Sequence, residues 1–128
     1  GALEAAGRTV AYLGVAADRL YPSQNRALFR AILDGGGTLA SEHGPGIATR
    51  AYEHARRNRL IVGQSRALVV AEAGVKSGTL GTATWAGRMG VEVWFPPECV
   101  GGERRGIEAL RAKGKGRVLD DPQELLFG

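Results

Sequence analysis

Only one of the 128 residues is a cysteine, Cys99, and only two are histidines, His43 and His54. A single thiol excludes an internal disulfide, and one thiol with two histidines offers no ligand set of the kind that holds zinc or an iron–sulfur cluster. No metal and no cofactor are expected. No apolar run approaches the roughly 20 residues that cross a bilayer, and the first residues lack the charged-then-apolar order of a secretory signal. The expectation is a cytoplasmic protein without membrane contact. There is no internal repeat, no GxxxxGK[ST] P-loop and no GxGxxG dinucleotide turn.

What the chain does have is enough apolar material for one core: 44% of its residues are hydrophobic, and at 128 residues a single domain over 1–128 is the default. Seventeen Lys and Arg against thirteen Asp and Glu leave a formal charge of +4, a balance that favours phosphate-bearing partners.

Strand and helix patterns take turns along the sequence. Thr9 to Leu13, Leu39-Ala40, Ala67 to Ala71, Val91 to Phe95 and Val118-Leu119 read as strands. Between them, Ser23 caps a helix carrying Leu28, Phe29, Ile32 and Leu33 at helical spacing and closed by Gly35-Gly36-Gly37. Thr49 is placed to cap a second helix running through Asn58, and Ser77 a third ending near Gly90. A fourth, marked by Ile107 and Leu110, stops around Gly114 and Gly116. Strands alternating with helices predict an α/β, Rossmann-like fold: a mostly parallel sheet with helices on both faces. The irregular pieces at Ala16 to Gln24, Glu42 to Ala48 and Pro96 to Gly102 each follow the C-terminal end of a strand, where such sheets carry function.

Two segments concentrate the chemistry. The run Lys76-Ser77-Gly78-Thr79-Leu80-Gly81-Thr82 follows a strand and opens a helix, so unpaired backbone N–H groups and the positive end of the helix dipole point above the sheet. Ser77, Thr79 and Thr82 supply hydroxyls, Gly78 lets the backbone approach a ligand, and Lys76 adds a movable charge. The segment reads either as a phosphate cradle or as an ordinary capped strand-to-helix turn. The second segment is Arg50 to Arg59. On a helix from Thr49, Ala51, Ala55, Asn58 and Val62 share one stripe, which places an amide on a face expected to be buried. Asn58 then needs hydrogen-bond partners, and nearby loop backbone is the structural choice. Arg50, Arg56, Arg57 and Arg59 surround it, either as a solvated face or as contacts to backbone phosphates.

Taken in order, Gly14 to Leu20 with Tyr21-Pro22, Ser41-Glu42, Arg57-Asn58-Arg59-Leu60-Ile61, Val69 to Ala73, Lys76 to Leu80, Thr82-Ala83 and Val91 to Pro96 resemble the Rossmann-type domain of the DNA-processing proteins DprA/Smf. The likeness runs along nearly the whole chain. It implies a dimeric, non-enzymatic single-stranded-DNA-binding protein that works with the RecA recombinase in natural transformation. It also implies a missing part, because family members carry a first strand with a Gly-Ser-Arg turn before the region matched here. The family's Phe-Pro ahead of the Arg-Asn-Arg run stands here as His54-Ala55, so an imidazole replaces a ring on which a base could stack. Arg50 is the nearest match to a basic residue expected to contact DNA.

The expected DNA or phosphate contacts are therefore Arg50, Arg56, Arg57, Asn58, Arg59, Lys76, Ser77, Gly78, Thr79 and Thr82, converging at one rim of the sheet. A phosphoribohydrolase of the lysine-decarboxylase-like group is the alternative on a related sheet. Its Pro-Gly-Gly-x-Gly-Thr turn followed by a glutamate is absent from the sequence. Tyr21-Pro22 reads as a turn, Trp94 as core, and Glu42 and Glu72 as solvated or cap-bonding carboxylates.

Overall fold

The computed structural model describes residues 2–74, 77–99 and 105–127, and the chain divides into two compact units, Gly1–Arg57 and Asn58–Gly128. In the first unit, strand β1 (Val10–Tyr12) leads through a 3-10 turn at Ser23–Asn25 into helix α1 (Arg26–Asp34), and the chain returns as strand β2 (Thr38–Ala40). β1 and β2 pair in parallel with Val10 opposite Thr38 and Tyr12 opposite Ala40, a βαβ connection of the kind the alternating pattern predicts. Leu13, Val15 and Phe29 form its core, with Leu20 and Leu39 packed on them.

Helix α1 buries less than its sequence stripe suggests. Phe29 and Ile32 are buried, whereas Leu28 and Leu33 are each half exposed. Phe29 and Ile32 lie one turn apart on a single line, and Leu28 and Leu33 flank that line on opposite sides. The two-stranded ladder of this unit covers the line and not its flanks.

Helix α2 (Glu53–Gly63) spans the division between the units. It starts later than a Thr49 cap predicts, because residues 50–53 form a turn in which Arg50 and Tyr52 carbonyls accept from Glu53 and Ala55. Ala51 therefore precedes the helix and Ala55 is exposed, so the expected apolar stripe survives only at Val62, which is fully buried, and in part at half-buried Asn58.

In the second unit, strands β3 (Ala67–Val69), β4 (Glu92–Phe95) and β5 (Arg117–Val118) form a ladder in that order, and both pairings are parallel. Helix α3 (Gly78–Met89) connects β3 to β4, and helix α4 (Arg105–Ala112) leads to β5. A short helix α5 (Glu124–Phe127), absent from the sequence prediction, follows. Asp121 opens it: its carboxylate accepts from Gln123 N at 2.8 Å. Val93 and Phe95 of β4 point into a core with Val70, Ala83, Ala86, Cys99 and Ile107. Trp94, on the alternate face, is also buried, as expected of a residue inside an apolar strand. Ser77 and Gly90 bound α3 as predicted: the serine side chain accepts from Thr79 N, and the Gly90 N–H donates to Ala86 O.

Candidate nucleic-acid interface

In the first unit the loops that follow β1 and β2 are fastened to each other by polar side chains. The Ser41 hydroxyl donates to Val15 O at 2.7 Å and accepts from His43 N at 3.0 Å. Asp18 Oδ2 accepts from Gly46 N at 2.9 Å. The start of α2 is anchored by Glu53, a carboxylate only 8% exposed. It lies 3.5 Å from His43 Nε2 and 3.8 Å from Arg56 Nη1, which supplies the opposite charge that a buried carboxylate requires. Four residues on, the Arg57 guanidinium donates to Tyr12 O at the end of β1. Burial pushes the Arg57 pKa down from its ordinary value.

Gly14 lets α2 come this close. A side chain there would place its Cβ 2.6 Å from His54 Nδ1 and 2.8 Å from His54 Cα, and the second of these is backbone that a rotamer change cannot move. With hydrogen at that position, His54 seats against the loop, and its ring faces Tyr21 at a centroid distance of 5.5 Å with the planes tilted by 46°. Together with Val15, Thr49, Arg50 and Ala51 these rings line a cleft of about 310 Å³. A buried valine forms its apolar part and exposed Arg50 its cationic part. An aromatic wall beside a cation at this scale suits one nucleotide: the base against a ring and the phosphate at the guanidinium.

In the second unit, the opening of α3 is built as a cap. Ser77 Oγ accepts from Thr79 N at 3.0 Å and donates to Thr79 Oγ1 at 2.8 Å. Thr82 is buried, and its hydroxyl donates to Gly78 O at 3.3 Å within its own helix. Gly78 is exposed, and among the described residues no atom beyond its chain neighbours and its own helix backbone stands within 4 Å of where its Cβ would be. Lys76 lies outside the described residues.

The predicted contacts are thus divided. Arg50, Arg56 and Arg57 belong to the first unit, and Asn58, Arg59, Ser77, Gly78, Thr79 and Thr82 to the second. Asn58 and Arg59 are half-buried on α2. Among the described predicted contacts, only Arg50 opens onto the cleft. Tyr21, read from sequence as a turn residue, turns out to be a wall of it. An aromatic in the loop after the first strand's C-terminal end was the available signal.

The model of the DNA recombination-mediator protein A family matches residues 1–127. The chain belongs to this family. The E. coli protein Smf is 33% identical to this DprA/Smf chain over 125 residues, covering 98% of it and 33% of Smf. The X-ray structure of DNA processing protein A from Streptococcus pneumoniae superposes with a TM-score of 0.81 at 32% identity, covering 98% of this chain and 44% of that one. DNA processing protein A from Helicobacter pylori, whose structure concerns its single-stranded DNA binding mode, superposes with a TM-score of 0.82 at 23% identity over 93% of this chain and 54% of its own. The chain therefore spans about half or less of the relatives it matches. DprA/Smf proteins are DNA-processing and DNA-binding proteins, not known enzymes. The Rossmann-like α/β class expected from the alternating pattern is the fold of these relatives, and no described helix is long and apolar enough to cross a membrane.

Proposed function

We propose that this chain is a single-stranded-DNA-binding module that holds one nucleotide of the strand in the Tyr21–His54 cleft, with Arg50 on its phosphate. The observation that carries this reading is the juxtaposition of an exposed tyrosine, a histidine ring and an arginine around about 310 Å³. Arg56, Arg57, Asn58, Arg59 and Lys76, with the Ser77-Gly78-Thr79 helix opening, are proposed as further contacts along the strand. The module acts without a cofactor, as a homodimer in the cytoplasm, and delivers DNA to a RecA-type recombinase during recombination and DNA uptake. Family membership supports this wider role.

The test is fluorescence anisotropy with a labelled oligothymidine at several salt concentrations. Tyr21→Ala is expected to weaken binding about tenfold or more, the range for one lost base–aromatic stack. Arg50→Ala is expected to weaken it and to reduce the slope of log affinity against log salt by about 0.7, one phosphate contact on a single strand. Wild-type affinity in both variants removes the cleft from the interface. Competition by a mononucleotide at its own low micromolar concentration would favour the nucleotide-processing alternative.

A further inference from the structure

The sequence Arg111-Ala112-Lys113-Gly114-Lys115-Gly116-Arg117 sets a cation at every second position across the turn between α4 and β5. The turn has a fixed shape. Lys115 N donates to Leu110 O at 2.9 Å and Gly114 N to Arg111 O at 2.9 Å, the paired bonds of a Schellman helix end, with Gly114 at φ +63°. Gly116 sits at φ +122°, and a Cβ there would lie 2.4 Å from the Phe95 ring of the core. The two lysines are therefore displayed from a rigid backbone.

The two arginines of this run are engaged. Arg111 pairs with Glu108 at 3.6 Å, and Arg117 pairs with Glu92 at 2.6 Å while lying 4.3 Å over the Trp94 ring. Lys113 and Lys115 are exposed and, among the described residues, have no ion pair. A cation at the C-terminal end of a helix suits the helix dipole, which accounts for Lys113 directly after Ala112 and not for Lys115 farther along the turn. Gly116 and Arg117 line two clefts, one of about 280 Å³ toward α3 that includes Lys115, and one of about 470 Å³ toward α4 that includes Arg111. No exposed large apolar residue falls within 111–117. Lysine is depleted from the centres of protein–protein interfaces, whereas lysines on flexible stems are suited to following a phosphate chain.

Because β4 and β5 run parallel and the turn precedes β5, this basic turn stands at the opposite rim of the second unit's sheet from the start of α3. We infer that Lys113 and Lys115 form a second phosphate-binding surface, which engages the backbone of a single strand long enough to extend past the first contacts. This inference rests on the single-stranded-DNA reading above.

The experiment uses the whole chain with the double variants Lys113→Ala/Lys115→Ala and Lys113→Glu/Lys115→Glu, the fold being checked by circular dichroism. Affinities are measured for oligothymidines of about 6 and about 25 nucleotides, lengths that bracket typical single-strand sites. The expected result is unchanged binding of the short strand, about fivefold weaker binding of the long one in the alanine variant, a larger loss in the glutamate variant, and a salt slope lower by about 1.4 for the two lost contacts. Long-strand affinity equal to wild type, equal losses at both lengths, or a loss without a change of slope each overturns the second surface and leaves the cleft standing. A wild-type chain that binds neither strand overturns both readings.

Discussion

The Arg57 guanidinium donates to the backbone carbonyl of Tyr12, joining the first half of helix α2 to the last residue of strand β1. A charge that the sequence offers as a phosphate ligand is in part a strut that ties the helix to the half-buried end of the strand. Arg57→Ala is expected to lower stability by about 1.5–3 kcal/mol, the worth of a hydrogen bond from a charged group. Urea unfolding followed by circular dichroism measures it. A midpoint equal to wild type would show that the bond contributes nothing.

Gly14→Ala is expected to distort the cleft from below. Its methyl would meet His54 Cα at 2.8 Å, so α2 or the loop must shift, at about 1–3 kcal/mol for an overpacked contact. Oligonucleotide affinity should fall with stability, and full affinity in a stable Gly14→Ala protein would separate the cleft from binding.

Ser77 allows capping and phosphate contact to be told apart. Ser77→Ala loses the bond to Thr79 N and is expected to cost about 1 kcal/mol. Ser77→Asp keeps a cap and so keeps stability, but places a negative charge at the helix opening. If phosphate binds there, affinity for single-stranded DNA falls severalfold in Ser77→Asp while the unfolding midpoint holds. Affinity that stays constant assigns Ser77 to capping alone.

Thr82→Val replaces a buried hydroxyl, bonded inside its own helix to Gly78 O, by a group of similar shape. A stability loss of about 0.5–1.5 kcal/mol with unchanged DNA affinity is expected. A loss of affinity without a loss of stability would return Thr82 to the interface.

His54→Phe enlarges the aromatic surface beside Tyr21 without adding a formal charge. Stacking on the larger ring is expected to tighten binding of a thymidine strand about threefold or more. An affinity that falls or stays level would mean the base does not lie against position 54.

Much of the fold was legible because its signals are local. Ser77 and Gly90 bound α3 as their capping chemistry predicts, and all five strands appear within a residue or two of the apolar runs that mark them. The start of α2 was not legible from Thr49. Glu53 is held by His43 and Arg56, one of them from a distant loop, and no rule of helix period includes a contact from so far along the chain. The cleft was half legible: Arg50 and His54 stood out as a cation and a ring, whereas Tyr21 read as part of a turn, since nothing in its own neighbourhood indicates that a ring from α2 will face it.

The order of residues by itself determined the alternating parallel architecture, the positive charge, the Ser77 and Gly90 caps of α3 and the absence of a cysteine framework, since each depends on composition or on neighbours a few positions apart, whereas Ser23 and Thr49, expected as caps, lie ahead of the observed starts of α1 and α2. Only the tertiary structure decided which cations are committed to carbonyls and carboxylates, that Tyr21 and His54 share a cleft, and that Thr82 turns inward. Those outcomes depend on side chains brought together from distant segments, where burial and pairing, not residue type, set what a charged or polar group is left to do.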